Sequence, residues 1–527
     1  MKRIYLVFIA LVMVPFAFAG GDKETSVQMV NPEFIIWNGP EPETLDPHLV
    51  SGVPEHRIYY SLFEGLTTND PKTAAGIPGL AESWTVSDDG TVYTFKLRKT
   101  TWSDGVPITA KTVVGSWIRM LDPDTAAPYA WFPAMFLKGA EEYNAKKAGP
   151  EAVKVRALDD TTFQMELVGP LPYVIGALSH YSFAVVPLHA IEKYGKKWTN
   201  PENFVGNGPF VLAEWKPQEL ISCVPNPKYW DKDRVRLGRV TYIPNEDNNT
   251  GYNMYLNNEV DWAHTIPLDQ LDASWLKDDF QNAPYLGTYY YVFQTQKAPF
   301  NDARVRKALT LAIDRESLVT KVAKGGEVPA YKMVPDGMAG YPGIEGNKEN
   351  IALAKQLLSQ AGYPGGKGFP SFEILYNTSD AHKKIAEYIQ QQWKENLGVQ
   401  CTLINQEWKT YLATRRAGDF QVVRAGWIGD YQDPNTFLDM FVSGSAMNGG
   451  KYSNPKFDEL IKKAARMPAG KDRMDTLKAA EEFFITQDQA ILPIYHYTTK
   501  QMINLEKWGG WYNNLMDYHP TKYIYLK

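Results

Sequence analysis

The chain has 527 residues, of which 44% are hydrophobic and 22% charged, and this balance excludes an intrinsically disordered protein. Its length exceeds what one hydrophobic core usually serves, so two or three lobes are expected. A net charge of −5 without a basic block argues against a nucleic-acid partner.

The first residues have the layout of a secretory signal peptide. Lys2 and Arg3 give a basic start, residues 4–18 form an apolar run, and Ala19 ends a small-x-small cleavage site. The run is too short for a spanning helix, and no cysteine follows it to carry a lipid. We therefore expect an exported chain that is cleaved near Ala19 and is not membrane-anchored.

Strand patterns dominate the first third of the chain. Residues 34–37, 92–97 and 163–167 alternate or cluster apolar side chains as strands do. Residues 87–90 predict a hairpin-type turn, because Asp89 and Gly90 tolerate a positive φ.

Helices alternate with strands in the second half. Asn301 is the predicted cap of a helix with one apolar face. The predicted strands further along are 372–377, 400–405 and 420–427, and the helices between them span 380–397 and 408–417. This βαβαβ order predicts a parallel sheet with right-handed crossovers.

The carboxyl ends of these strands are the predicted ligand site. Ligands of open α/β sheets bind in the crevice beyond those ends. Residues 377–382, 406–408 and 427–430 come there and carry amide, imidazole, indole and carboxylate groups. The pattern predicts a site for a small polar ligand, and ordinary solvated loops are the alternative.

Strong signatures of catalysis or cofactor binding are absent. The sequence contains no H-E-x-x-H, no zinc-spaced cysteine pair, no G-x-S-x-G elbow and no phosphate-binding P-loop. His48 and His56 have no third ligand at a suitable spacing, so they are predicted to be surface residues. We expect no enzyme activity, no metal and no cofactor.

A series of short motifs gives the chain a family resemblance. They are Leu-Asp-Pro-His at 45–48, Leu-Phe-Glu-Gly-Leu at 62–66, Gly-Leu-Ala-Glu-Ser-Trp at 79–84, Trp-Ser-Asp-Gly at 102–105, Gly-Asn-Gly-Pro-Phe at 206–210 and Asn-Pro-Lys-Tyr-Trp at 226–230. Their order and spacing resemble the extracellular solute-binding proteins of family 5, which serve ABC peptide importers. Residues 377–384, 406–411 and 424–431 are similar to the oligopeptide-binding branch of enteric bacteria.

The resemblance implies an α/β, three-lobed fold of the type II periplasmic-binding-protein kind, with mixed sheets and a hinged ligand cleft. Lobe I would comprise residues 20–63, 188–284 and 508–527, lobe II the insertion 64–187, and lobe III residues 285–507. It also implies a periplasmic monomer that captures short peptides and delivers them to an inner-membrane ABC permease.

The same resemblance implies roles for individual residues. Asp430 would bind the α-amino group of the peptide, and Trp427 and Trp408 would form walls of side-chain pockets. The remaining implied residues are Arg424, Arg415 and His382 at the carboxylate end, Asn377 in a polar pocket, Gly52 and Val53 where lobe I pairs with the peptide main chain, and Gly426 as a further binding residue.

One departure from that branch concerns disulfides. Ile428 stands where the enteric proteins have a cysteine, so their local disulfide is not expected. Spacing alone leaves open whether Cys223 and Cys401 form a bond or remain separate buried thiols. The implied lobes place them in different moving bodies, which favours separate thiols.

Other functions remain alternatives. Members of this superfamily also bind dipeptides, oligosaccharides, haem or metal chelates, and a secreted hydrolase with an unrecognised site is a more distant alternative. A peptide-binding chaperone role beside transport is a further one.

Overall fold

The computed structural model describes residues 31–527, so the predicted signal peptide lies outside the described residues. Within this range, no helix has the length and apolar character needed to cross a membrane.

The strands, in chain order, are β1 (Glu33–Gly39), β2 (Thr67–Asn69), β3 (Gly76–Pro78), β4 (Ala81–Val86), β5 (Val92–Leu97), β6 (Thr100–Thr101), β7 (Pro107–Ile108), β8 (Val155–Asp159), β9 (Thr162–Glu166), β10 (Phe210–Lys216), β11 (Leu220–Pro225), β12 (Arg239–Pro244), β13 (Trp262–Ala263), β14 (Phe280–Gln281), β15 (Pro284–Phe293), β16 (Val328–Pro329), β17 (Phe372–Asn377), β18 (Cys401–Gln406), β19 (Val422–Ile428), β20 (Ile491–Thr498), β21 (Gln501–Ile503), β22 (Trp508–Gly509) and β23 (Tyr525–Leu526).

The α-helices are α1 (Val53–Leu62), α2 (Ala110–Leu121), α3 (Trp131–Phe136), α4 (Ala140–Asn144), α5 (Val174–Ala177), α6 (Leu188–Tyr194), α7 (Asn248–Leu256), α8 (Leu271–Ser274), α9 (Ala303–Leu311), α10 (Arg315–Leu318), α11 (Ile351–Gln360), α12 (Asp380–Leu397), α13 (Trp408–Ala417), α14 (Pro455–Ala464) and α15 (Lys471–Glu482).

Three sheets organise the molecule. A 7-stranded sheet has the order β10-β11-β12-β1-β13-β21-β14 and belongs to the predicted lobe I, although β21 enters it before the predicted boundary at residue 508. A 4-stranded sheet, β4-β5-β9-β8, lies in lobe II. A 6-stranded sheet, β16-β20-β15-β19-β17-β18, lies in lobe III.

The predicted βαβαβ unit is present in the third sheet. Strand β17 pairs in parallel with both β18 and β19, as expected, while β19 pairs antiparallel with β15. Helix α12 ends at Gly398, whose φ of 69° is the left-handed conformation that glycine adopts without a steric penalty. The sheet is therefore mixed, and its parallel part carries the predicted strand ends.

Two local predictions are corrected. The cap of α9 is Asp302, whose side chain accepts a hydrogen bond from the Arg304 N–H, and not Asn301. His48 and His56 are buried rather than on the surface. His48 is enclosed because Arg119 and the Ala184 carbonyl bond its ring, and His56 because it packs among aromatic rings such as Tyr60 and Tyr518.

Both cysteines are free, buried thiols, which confirms the prediction of separate thiols. Cys223 lies on β11 in the first sheet and Cys401 on β18 in the third. No covalent link between them constrains the two lobes.

Candidate functional site

The predicted binding residues meet in a cleft between lobes I and III. The cleft contains two adjoining cavities of about 320 Å³ and 110 Å³. Asn377, His382 and Arg424 line the larger cavity, and Gly52, Arg415, Trp427 and Asp430 the smaller one. Val53, Trp408 and Gly426 line both. The segments predicted at the strand ends, 377–382, 406–408 and 427–430, thus meet at one cleft, together with residues implied only by the family resemblance.

Asp430, which follows β19, has one carboxylate oxygen engaged and one free. Its side chain is buried, and Oδ1 lies 3.3 Å from His180 Nε2. The second oxygen, Oδ2, is also buried and has no hydrogen-bond partner in residues 31–527. A buried, unpartnered carboxylate oxygen is costly unless a donor arrives, so it is a natural acceptor for a ligand cation.

His180, from lobe II, orients this carboxylate. The Ser182 backbone N–H donates to His180 Nδ1 at 3.3 Å, which makes Nδ1 an acceptor. With Nδ1 as an acceptor, the ring N–H is on Nε2, which faces Asp430 Oδ1. Rings of Tyr181 and Tyr129, at centroid distances of 3.8 Å and 4.8 Å, hold the imidazole in place. Lobe II thereby completes a site whose carboxylate comes from lobe III.

Strand β19 exposes an edge to the cleft. The Gly429 N–H donates to the Leu286 carbonyl at 2.8 Å, so by alternation Trp427 and Ala425 direct their backbone groups toward β15. Gly426 and Ile428 direct theirs the other way, where β17 pairs β19 only through Val422 and Val423. No other described strand pairs with this edge, which leaves donors and acceptors for an added strand.

Gly52 marks the close approach of lobe I to Trp408 on α13. A Cβ at Gly52 would lie 2.9 Å from Trp408 Cζ2 and would overlap Glu55 Oε2, so no side chain fits without displacing a neighbour. Trp408 itself is tied to lobe I, because its backbone N–H donates to Glu246 Oε1 at 3.0 Å.

Arg424 presents a guanidinium to the larger cavity. It donates to Tyr497 Oη at 2.7 Å and to Asn377 Oδ1 at 3.2 Å, and lies 4.5 Å from the Tyr289 ring centroid. Arg415 in the smaller cavity has a single weak contact, 3.5 Å to Tyr290 Oη. Neither guanidinium forms a salt bridge within the described chain, so both positive charges are available to an anion.

His382 is a neutral member of the site. Burial, together with the positive charge of Arg424, lowers the pKa of His382 well below its usual value. It would therefore meet a ligand carboxylate with a hydrogen bond rather than with a positive charge.

A salt bridge closes lobe I against lobe III. Arg416 on α13 makes a bidentate pair with Glu43, with distances of 3.0 Å and 2.7 Å. Both side chains are partly buried, which reduces screening by salt. The contact joins the two walls of the cleft and favours their closed arrangement.

Comparison with known proteins identifies the family. The family model for bacterial extracellular solute-binding proteins, family 5, matches residues 76–449. The periplasmic oligopeptide-binding protein of Salmonella typhimurium is 39% identical over 523 residues, covering 97% of this chain and 95% of that protein. This chain belongs to family 5 of the extracellular solute-binding proteins.

Solved structures of periplasmic peptide-binding proteins confirm the predicted α/β fold with mixed sheets. A periplasmic oligopeptide-binding protein from Borrelia burgdorferi has a TM-score of 0.90 at 37% identity, covering 94% of this chain and 100% of that one. The Escherichia coli murein tripeptide binding protein gives 0.89 at 36% identity, over 94% and 98% of the two chains.

A second structure of a periplasmic murein tripeptide binding protein bears on the state of the hinge. Its unliganded open form gives a TM-score of only 0.64, with the same 36% identity and the same coverage of 94% and 98%. Since the sequence is the same in both comparisons, the lower score reflects the arrangement of the lobes. The lobes of this chain are therefore arranged differently from those of the open form.

Several cleft residues were not predicted from the sequence. They are Arg57 and His56 on α1, His180 in lobe II, Tyr285 on β15, and Asp517 near the C-terminus. Arg57 had a detectable signal, because on a helix it lies one turn beyond the predicted peptide-facing Val53. His56 lies on the same helix, whereas His180, Tyr285 and Asp517 come from distant segments whose sequences give no sign of meeting.

Proposed function

We propose that this chain is the ligand-capturing component of an ABC peptide importer. It acts in the periplasm as a monomer, binds short oligopeptides between lobes I and III, and delivers them to an inner-membrane permease. The observation that carries this proposal is the free, buried Oδ2 of Asp430 at the end of the open edge of β19. The names of the relatives, oligopeptide-binding and murein tripeptide binding, support the same ligand class.

The peptide lies as an added strand on β19 and is held by its constant parts. Main-chain hydrogen bonds to Gly426 and Ile428 give affinity that does not depend on sequence, and Gly52–Val53 covers the opposite side. The α-ammonium group meets Asp430. Side chains of an added strand point alternately to its two faces, which suits a cleft with two cavities.

The positions of the charges predict the length of the ligand. Arg424 lies on β19 and Asp430 two residues beyond its end, so a rise of about 3.3 Å per residue places their Cα atoms at most roughly 20 Å apart. A peptide that joins the Asp430 carboxylate to the Arg424 guanidinium would have about three to six residues, because the arginine side chain spans part of the distance.

Calorimetry with one peptide pair tests the function. The protein is unfolded and refolded to remove bound ligand, then titrated with Lys-Ala-Lys and with its N-acetylated form. We expect tight binding of the free-amine peptide and much weaker binding of the acetylated one, because acetylation removes the ammonium charge. Equal binding would contradict the Asp430 anchor, and absence of binding by both peptides and by a mixed peptide pool would contradict the peptide function.

The same titration separates the alternatives. An oligosaccharide receptor would use the tryptophans as stacking surfaces and would leave Asp430 without an ammonium partner. A relative at 37% identity is named as a probable deoxycholate-binding protein, so deoxycholate belongs in the panel. Recovery of intact peptide after long incubation would support our proposal that the chain is not an enzyme.

His180 is proposed as a positioning residue for Asp430, and His180→Asn tests this. The asparagine side chain is too short to place a donor on Oδ1, so the carboxylate would lose its fixed orientation. We expect the affinity for Lys-Ala-Lys to fall by roughly ten-fold or more, since a hydrogen bond to a charged group contributes about 1.5–3 kcal/mol. Binding of the N-acetylated peptide should change little, as measured by calorimetry.

His180→Gln is the matched control. The glutamine amide reaches about as far as Nε2 and restores a donor, so most of the affinity for the free-amine peptide should return. If both substitutions lowered the affinity for the two peptides equally, His180 would have a purely structural role.

A further inference from the structure

Arg57 occupies the boundary between the two cavities of the cleft. It lies on α1, one helical turn beyond Val53, and lines both cavities. The side chain is half-buried, and its guanidinium carbon is 5.6 Å from the Trp262 ring centroid. A ligand strand that passes from one cavity to the other would run beside this guanidinium.

The hydrogen-bonding capacity of Arg57 is almost unused. Nη1 donates to the Asn38 carbonyl over a long 3.3 Å, while Nε is buried without a partner in residues 31–527. The side chain makes no other hydrogen bond and no salt bridge with the described residues. A guanidinium has five N–H donors, so most of this capacity faces the cavity or goes unmet.

Nearby carboxylates do not replace a partner. Asp517 lines both cavities and attracts Arg57 through space, but its Oδ1 already accepts from Gln501 Nε2 at 2.5 Å and His519 Nε2 at 2.8 Å. Glu55 is buried; its Oε1 accepts from the Glu43 backbone N–H, and its Oε2 has no hydrogen-bond partner in residues 31–527, so neither oxygen bonds Arg57. Both carboxylates reduce the cost of burying the charged guanidinium, but neither accepts a hydrogen bond from it.

Closing the cleft over Arg57 removes water that would otherwise solvate it. Burial disfavours the charged form and lowers the pKa of Arg57 from its ordinary value, although the group stays protonated at neutral pH. An anion that enters the cleft would recover this cost, and a planar carboxylate matches the guanidinium fork best. A neutral side chain at this point would leave a buried charge unpaired.

We infer that Arg57 is a ligand-binding residue that holds a carboxylate of the bound peptide, and that the chain favours peptides able to place a carboxylate there. This rests on the proposed peptide function. Such a carboxylate has two sources, an acidic side chain or the C-terminus of the peptide. Asp430 fixes one end of the ligand, so Arg57 selects ligands that place a carboxylate at the boundary between the two cavities.

A peptide panel separates the two sources. Ala-Ala-Ala, its C-terminal amide, and tripeptides with Glu or Gln at each position in turn are titrated into wild type, Arg57→Gln and Arg57→Lys by calorimetry. Arg156→Gln is the matched control, because Arg156 is exposed on β8 and bonds only Gln164. Thermal unfolding checks that each variant is folded. If Arg57→Gln is not folded, Arg57→Lys still allows the role of the guanidinium to be tested.

If an acidic side chain supplies the carboxylate, we expect that, at one position, the peptide with Glu binds the wild type about 10- to 100-fold more tightly than the peptide with Gln. This preference should vanish in Arg57→Gln, fall in Arg57→Lys and persist in Arg156→Gln. If the C-terminus is the source, the penalty for amidation should vanish in Arg57→Gln instead.

Two results would overturn the inference in distinguishable ways. If the peptides bind but Arg57→Gln leaves both the Glu-to-Gln ratio and the amidation penalty unchanged, Arg57 does not hold a carboxylate and the peptide function stands. If no peptide in the panel binds the wild type, both the peptide function and the role of Arg57 fail.

Discussion

Asp430→Asn is expected to weaken binding of Lys-Ala-Lys by about 2–5 kcal/mol, or roughly 30-fold to several thousand-fold. The substitution keeps the shape of the side chain but removes the charge that meets the α-ammonium. It also leaves a buried ammonium without a counter-charge, which is the larger part of the cost. Calorimetry on refolded, ligand-free protein measures the change.

A double-mutant cycle makes this prediction specific. Acetylation of the peptide removes the same ion pair from the ligand side, so the effects of Asp430→Asn and acetylation should not add. Asp419→Asn is the matched control, because Asp419 is an exposed carboxylate of the same lobe. Additive effects, or equal weakening by the control, would show that Asp430 does not contact the amine.

Local structure around the site was predictable because its signals are local. The strands and helices of residues 372–428 follow from amphipathic periods, from Gly398 as a terminator, and from the length of each apolar run. Errors there are of one or two residues, as with β18, which begins at Cys401 rather than at residue 400. Once the parallel order is known, the strand ends must share one edge of the sheet.

Contacts between distant segments were not predictable from these signals. His180 reaches Asp430 only because an insertion folds back over the third lobe, and no periodic pattern records that approach. The same limit explains why His56 was predicted on the surface, although it packs among rings of Tyr60, Tyr181 and Tyr518. Aromatic residues make up 13% of the chain, but composition does not indicate where their rings meet.

The anchor residue also depends on a buried ion pair just beyond it. Arg473 on α15 makes two parallel hydrogen bonds to Asp433, at 2.7 Å and 2.8 Å, with side chains that are 0% and 6% exposed. Asp433 in turn accepts from the Asn435 backbone N–H at 3.0 Å and shapes the turn that follows Asp430. The pair therefore links α15 to the backbone that carries Asp430, the proposed α-amino site.

Arg473→Met is expected to lower the free energy of unfolding by about 3–5 kcal/mol, because it leaves the Asp433 carboxylate buried and unpaired. The midpoint of urea unfolding measures this change. Lys471→Met is the matched control: Lys471 lies on the same helix and its pair with Asp475 is exposed, so its midpoint should hardly move.

Adding Asp433→Asn to Arg473→Met should restore part of the lost stability, since the isolated charge is then gone. Restored stability without restored peptide affinity would mean that the ion pair also sets the position of Asp430, because the neutral pair cannot hold the turn in the same way. Full additivity of the two substitutions would instead mean that each residue is stabilised by its other contacts. In that case the orientation of Asp430 would depend on its own contacts: its N–H donates to Thr436 Oγ1, and its Oδ1 lies 3.3 Å from His180 Nε2.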